Sequence, residues 1–357
     1  MFTWMRKRRP EAAGGGCTVS FVDGHAPLSV PRDAFLLASA LDAGVPWPHN
    51  CKVGTCGQCK ARIVSGRIKP AMDFALSPLT ADDLRQGYVL ACQSRVREDV
   101  LVEVPLPASA PAVVRREAVV QSADCPAPDV MHLRLALDAP LVFVAGQYVE
   151  LGLHGFDAMR SYSLCEAPQR EGLREVSFLI RRLPGGRFSE RLFADAAPGR
   201  RMHLYGPMGS AAALPPAASA CGVAGGTGLA PMLSLMADRL SRDAQARFTL
   251  FLGLRSQADT FAQPLLAPLL ERHPGRITVH TWLSDEPAGS DWTGPRGLVT
   301  EALTAGAIDA AGAFLCGNAG MVYAARDRLL ALGLPAERIH ADAFAPSGQA
   351  EPARVAA

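Results

Sequence analysis

HNCKVGTCGQCKARI, residues 49 to 63, holds three of the chain's nine cysteines, Cys51, Cys56 and Cys59, separated by four residues and then by two. A fourth, Cys92 in VLACQS, follows after 32 more residues. This is the plant-type spacing for a [2Fe-2S] cluster. The crowding has a physical reason: one segment must wrap a two-iron rhomb, giving thiolates to both irons while N–H groups from Lys52 to Gln58 point at the sulfides. Gly54 and Gly57 suit such a loop, because glycine permits positive φ and close backbone approach. A structural zinc is the rival, although zinc knuckles pair two short Cys-x-x-Cys turns and Cys92 stands alone. Unrelated buried cysteines are the plain alternative. His49 flanks the loop as a Rieske-like ligand in principle, but four cysteines already complete a set.

Around this loop, residues 17–104 read as a small α/β-grasp domain. TVSFVDG and APLSVPR form a hairpin, AFLLASALDAGV an amphipathic helix, and KARIVSGRI a strand after the cysteines. At about 150 residues per domain, 357 residues and 49% hydrophobic content point to two or three domains with real cores. The proline- and alanine-rich segment 105–114 is a linker. Residues 115–214 break into short alternating strands (REAVVQSA, VMHLRLAL, GQYVELGL, RSYSLC, EVSFLIRR, MHLYGPMG) and predict an antiparallel β-barrel. In 215–345, apolar strand-like runs (CGVAGG, ARFTLFLGL, RITVHTWL, GAFLCG) alternate with helical stretches (APMLSLMADRLSR, PLLAPLLER, MVYAARDRLLAL), which predicts an α/β domain on a parallel sheet. Residues 346–357 form a tail.

Composition excludes several classes. Lys+Arg 36 against Asp+Glu 34 is too balanced for a nucleic-acid binder. Arg6, Lys7, Arg8 and Arg9 sit in a leader, 1–16, that lacks an apolar h-region, so secretion is not expected and the location is cytoplasmic. The uncharged run 204–237 is interrupted by prolines and glycines and predicts no membrane span. An odd cysteine count argues against a disulfide framework; Cys17, Cys125, Cys165 and Cys221 are taken as structural, Cys165 standing near the RSYSL strand.

Two further constellations carry chemistry. In RSYSL, Arg160 and Tyr162 share one face of a strand, Ser161 and Ser163 the other. In LPGGRFSERL, Gly185, Gly186 and Ser189 open a helix whose N–H groups can hold a pyrophosphate. An ordinary strand or helix cap explains either piece alone; in order, beside a cysteine loop, they are harder to dismiss. CGVAGGTGLAP, residues 221 to 231, is an analogue of the dinucleotide fingerprint: Gly225, Gly226, Thr227 and Gly228 make a strand-to-helix turn, with Pro231 in the first helical turn. In FLCGNAGMV, Cys316 and Gly317 follow a strand, where open α/β sheets bind ligands.

These motifs resemble the ferredoxin-NADP reductase superfamily. The order of domains, with WPHNCKVGTCGQCK, IVSGRI, LRSQAD and IHADAFAPSG, is similar to reductase components of aromatic oxygenases of the xylene monooxygenase and naphthalene dioxygenase type. The resemblance implies that Cys51, Cys56, Cys59 and Cys92 ligate a [2Fe-2S] cluster and that FAD occupies the barrel. Arg160 would pair with the flavin pyrophosphate, Tyr162 would lie against the isoalloxazine, Ser163 would bond near N5, and Gly186 to Ser189 would cap the phosphates. Cys316 would face the nicotinamide, giving a catalytic set of Tyr162, Ser163 and Cys316. The family commonly reads Cys-Gly-Pro-Pro there, and Asn318 and Ala319 in place of the prolines predict a looser loop. Phe344 either covers a ring face or packs in the core.

Where phosphate-preferring relatives carry Ser-Arg, this chain has Ser284 followed by Asp285 and Glu286. Two carboxylates repel a phosphate dianion and accept ribose hydroxyl bonds, so NADH is favoured; Arg255 leaves room for NADPH. A hydride delivers two electrons and the cluster takes one, so a flavin stands between them. The implied function is an NADH-dependent electron-transfer enzyme of aromatic hydrocarbon catabolism, monomeric, feeding a terminal oxygenase or hydroxylase directly or through an intermediate ferredoxin. A redox-sensing flavo-iron-sulfur protein without a turnover partner is the alternative. Phe2, Trp4 and Met5 beside the basic leader suggest peripheral membrane contact, or simply a loose arm.

Overall fold

The computed structural model describes residues 16–54, 56–74, 77–107, 111–209, 219–259, 261–305 and 312–344. The basic leader with its proposed membrane contact, part of the linker, the junction around 210–218 and the tail lie outside these. The chain divides into two compact units, 1–110 and 111–357, with the division inside the proline-rich linker.

The first unit contains β1 (Cys17–Phe21), β2 (Leu28–Val30), α1 (Leu36–Asp42), β3 (Lys60–Ser65), β4 (Ile68–Pro70), α2 (Ala81–Arg85), β5 (Tyr88–Leu90), β6 (Ser94–Val96) and β7 (Val100–Glu103). Five of these strands form a mixed sheet in the order β2-β1-β7-β3-β5, with β1 and β7 parallel. The expected hairpin is present as the antiparallel β1–β2 pair. Alternate residues Val19, Phe21 and Val102 turn inward and pack with Leu36, Leu37 and Trp47 into one core. KARIVSGRI is two strands rather than one. It breaks at Gly66, where φ is +81° and a Cβ would lie 2.2 Å from Asp99 O, so β4 leaves the main sheet and pairs with β6.

The second unit begins with β8 (Val114–Ala127), β9 (Val130–Leu141), β10 (Tyr148–Leu153), β11 (Met159–Ser163), β12 (Leu173–Arg181), α3 (Arg187–Asp195) and β13 (Arg201–Met208). Its six strands form one antiparallel sheet in the order β11-β10-β13-β8-β9-β12 around Leu133, Val149, Leu151, Phe178 and Leu204. Just beyond β11, Cys165 N–H donates to Ser177 O of β12 at 3.2 Å, so the two outermost strands meet.

The rest is β14 (Ser219–Gly225), α4 (Leu229–Arg242), β15 (Arg247–Leu254), α5 (Ala262–Arg272), β16 (Ile277–Leu283), β17 (Ala313–Asn318), α6 (Ala319–Ala331) and β18 (Ile339–Phe344). All neighbours in the sheet β16-β15-β14-β17-β18 run parallel. Leu250 and Leu252 pack in one core with α4 and α5, while Phe251 between them enters the core that holds Val322 and Leu329 of α6. Both faces are therefore covered, as a parallel sheet requires. β18 was not anticipated. Its alternation of buried Ile339, Ala341 and Ala343 is the only sequence signal, and the side chains are too small for a strong one. Phe344 ends this strand, half-buried and packed against a core.

Candidate functional site

Trp47, 1% exposed, anchors the cysteine loop: its indole N–H donates to Cys59 O at 3.4 Å, and its own carbonyl lies 2.8 Å from His49 Nδ1. His49 is thus turned toward the main chain, and burial lowers its pKa to about 4. Lys52, Gly54 and Gly57 adopt positive φ (57°, 90° and 74°) and curl the loop. A Cβ at Gly54 would lie 2.5 Å from Met72 Sδ, so the loop is packed from outside as well.

The four thiols lie near enough to one another to titrate together. Cys56 donates to Cys51, which with burial pushes the Cys56 pKa well up. Cys92 likewise donates to Cys59, raising its own pKa and lowering that of Cys59. Cys92 N–H also points at Cys59 Sγ, 3.5 Å away, and Ala91 N–H bonds Cys59 O at 3.1 Å. No tight group of three or more metal-ligating side chains occurs among the described residues. A single tetrahedral zinc draws four thiolates onto one centre. A two-iron cluster takes its four thiolates from a longer span, as this loop and Cys92 offer, and the main-chain N–H directed at sulfur is the kind of contact that supports such ligands.

Strand β11 brings the flavin candidates to an edge of the sheet. Ser163 is buried, Ser161 exposed and Tyr162 half-buried, its ring 6.0 Å from Phe188 of α3 and its pKa raised by burial. The Arg160 guanidinium bonds Met159 O at 2.7 Å. At the start of α3, Gly185 (φ +72°) donates to Glu190 Oε1 at 3.1 Å, and Gly186 N–H reaches Leu183 O at 2.8 Å. Ser189 Oγ accepts from Leu183 N–H at 3.1 Å. These three residues shape the turn, which leaves the first-turn N–H groups of Arg187 and Phe188 as the natural phosphate donors. A Cβ at Gly186 would lie 2.6 Å from Ser189 Oγ and 2.9 Å from Leu183 O. Gly186→Ala is therefore expected to open this turn and lower flavin retention about tenfold, read as flavin released per chain on gel filtration.

The glycine turn after β14 is built by backbone contact. Gly226 has φ +54°, while a Cβ at Gly228 would lie 2.2 Å from Cys316 O, and one at Gly317 would lie 3.0 Å from Gly225 N. Thr227 is buried between them. Cys316 is 2% exposed with Sγ 4.0 Å from Asp342 Oδ2; burial, then that carboxylate, pushes its pKa well up, so it stands as a neutral thiol. In the loop after it, Asn318 Oδ1 accepts from Met321 N–H at 2.9 Å and caps α6. Of the two acids after β16, Glu286 is engaged by Gln257 N–H (2.7 Å) and Nε2 (2.9 Å), whereas Asp285 is exposed.

Three residues escaped the sequence reading. Arg181 of β12 reaches the glycine turn, its Nη2 3.0 Å from a Cβ at Gly226. Asp129 holds it at 3.1 Å. Glu166, just past β11, accepts from Ser177 N–H at 2.9 Å and from Ser177 Oγ, and its carbonyl receives Ser234 Oγ of α4 at 2.6 Å. Burial raises the Glu166 pKa.

Comparison with known proteins agrees with this layout. Residues 20–97 match the 2Fe-2S iron-sulfur cluster binding domain, 117–212 the oxidoreductase FAD-binding domain and 223–327 the oxidoreductase NAD-binding domain. The electron transfer component of xylene/toluene monooxygenase from Pseudomonas putida is 34% identical over 89% of this chain and 90% of its own length. The reductase component of the naphthalene 1,2-dioxygenase system of Pseudomonas putida is also 34% identical, over 88% and 94%. The crystal structure of the Amycolatopsis cytochrome P450 reductase GcoB superposes with a TM-score of 0.73 at 31% identity, covering 92% of this chain and 98% of that one. The chain is thus an oxidoreductase with FAD- and NAD-binding domains and a [2Fe-2S] domain. It belongs to the family of electron-transfer reductase components of multicomponent oxygenases.

Proposed function

We propose that this chain takes a hydride from NADH and passes the electrons through FAD and a [2Fe-2S] cluster to a terminal oxygenase or hydroxylase, directly or through an intermediate ferredoxin. The Cys51–Cys56–Cys59 loop with the buried Cys92 held against Cys59 carries this reading, because that spacing is the [2Fe-2S] one and residues 20–97 match the 2Fe-2S iron-sulfur cluster binding domain. When bound, the flavin converts a two-electron donor into a one-electron supply.

The chain's own residues hold and orient. Tyr162 offers an aromatic face and Ser163 a buried hydroxyl, Arg160 a cation, and Gly185 to Ser189 the turn that frees the α3 amides for phosphate. The contact between Cys165 and Ser177 supports a closed barrel around this pocket. Gly225 to Gly228 admit the nucleotide pyrophosphate to the start of α4, beside which Arg181 stands paired with Asp129, and Asp285 receives ribose hydroxyls. Cys316 and Gly317 give a neutral, close-packed surface for the nicotinamide. The site works by positioning, with the thiol kept protonated rather than nucleophilic. We read the protein as a cytoplasmic monomer of aromatic hydrocarbon catabolism. Among the described residues, no helix is long and apolar enough to cross a membrane.

Anaerobic mixing with NADH is expected to bleach the flavin and then the cluster absorbance and to drive cytochrome c reduction, with two irons and no zinc per chain. Flavin reduction with a cluster that stays oxidised would refute the transfer chain and favour a sensor.

A further inference from the structure

Arg255, which left the nucleotide preference open in sequence, is gripped from both lobes of the second unit. On the nucleotide side, Asp259, 3% exposed, takes Arg255 Nε and Nη2 at 3.0 Å each. On the flavin side, Asp129, in the turn between β8 and β9, takes Nη2 through both oxygens at 3.1 and 3.0 Å. The same Asp129 holds Arg181. Two cations and two anions thus cancel within one cluster.

The place of this cluster gives it meaning. The ends of β14, β15 and β16 lie side by side, with Gly225 opposite Gly253 and Leu254 opposite Leu283. Arg255 follows β15 directly, and its carbonyl accepts Asp285 N–H at 2.7 Å. It is therefore a cation next to the loop that would face the adenosine ribose; Arg296, held by Ser290 Oγ at 2.9 Å, is the other. In dinucleotide sites an acid there takes the 2′-hydroxyl, whereas a nearby arginine accommodates a 2′-phosphate. Here the arginine is present but already paired with two carboxylates, and in the adjoining loop three acids, Asp285, Glu286 and Asp291, outnumber the one cation Arg296.

We propose that Asp129 is a specificity-determining residue: by clasping Arg255 from the neighbouring lobe, it withholds that guanidinium from a 2′-phosphate and so enforces NADH over NADPH. The inference rests on the NADH reading above and adds the residue that sets it. Bound to phosphate instead, Arg255 would leave Asp129 with Arg181 alone and loosen the contact between lobes. The cost of NADPH is then paid at the clasp as well as in repulsion from the acids.

Titration of the flavin-loaded protein with 5′-ADP and with 2′,5′-ADP, followed by calorimetry, reads this without turnover. Wild type is expected to bind 5′-ADP more tightly. Asp129→Asn is expected to tighten 2′,5′-ADP about tenfold relative to 5′-ADP, the size of one charged-group hydrogen bond. Asp129→Glu should keep the wild-type ratio, and adding Arg255→Leu to Asp129→Asn should erase the gain. Asp259→Asn loosens the same guanidinium from within the nucleotide lobe and should move the ratio the same way. An unchanged ratio in both asparagine variants, or a gain that survives Arg255→Leu, overturns the proposal. A wild type that prefers 2′,5′-ADP sinks the NADH reading itself, independently of what the variants do.

Discussion

Cys92→Ser is expected to leave a protein whose flavin NADH still reduces but which no longer delivers electrons to cytochrome c. Cys92 is the proposed ligand from outside the loop, on the short turn Ala91–Gln93, and it is 6% exposed. It is bound to the loop twice, through its own N–H to Cys59 Sγ and through Ala91 N–H to Cys59 O. A serine keeps these main-chain contacts and the fold of the unit while removing a soft thiolate. Loss of mere supporting contacts already weakens metal sites by about 10- to 100-fold, so loss of a ligand should exceed that. The check is iron per chain together with two rates, flavin bleaching by NADH and cytochrome c reduction. Full iron content with an undiminished second rate would mean that Cys92 is not a ligand.

Gly228→Ala should act at the opposite end of the electron path. The residue has φ −58°, so alanine meets no backbone strain there. The obstacle is steric, a Cβ 2.2 Å from Cys316 O and 2.9 Å from Gly317 N, both main-chain atoms that no rotamer change can move. Either the glycine turn lifts away from β17 or the end of β17 is displaced. Overpacking of this kind costs about 1–3 kcal/mol, which lowers the melting temperature by several degrees. Misplacement by about 1 Å can cost about 100-fold in rate, so flavin reduction by NADH should fall by that order while electron transfer from chemically reduced flavin to the cluster is unchanged. Gly226→Ala is the milder neighbour. Its Cβ meets Arg181 Nη2 at 3.0 Å, the end of a flexible side chain, and the main penalty is the positive φ, about 1 kcal/mol. Equal effects of the two substitutions would argue against backbone contact as the reason for glycine at 228.

What the sequence made legible follows from distance along the chain. A cluster loop must present three ligands within nine residues, and a phosphate turn must crowd its glycines between one strand and one helix, so both leave compact signatures. The parallel sheet was legible for the same reason, each buried strand being a short apolar run. Asp129 left no such trace. It stands in a Pro-Asp turn of a hairpin and reads as ordinary turn chemistry, while its partner Arg255 is 126 residues away. Glu166 was hidden in the same way, since Ser234 lies 68 residues on. The cap that Asn318 places on α6 was not foreseen, because the missing prolines drew attention to what the loop lacks and not to what an asparagine side chain can accept.

Ser234 sits six residues along the chain from Gly228, on the helix that starts at the phosphate turn, and its hydroxyl grasps the main chain of Glu166, three residues beyond Ser163. Helix α4 thus runs from the turn proposed to grip the nucleotide to the end of the strand proposed to carry the flavin. On the function proposed, docking of the donor and alignment of the acceptor ring would then be set by one element, and a tilt of α4 would misregister both at once.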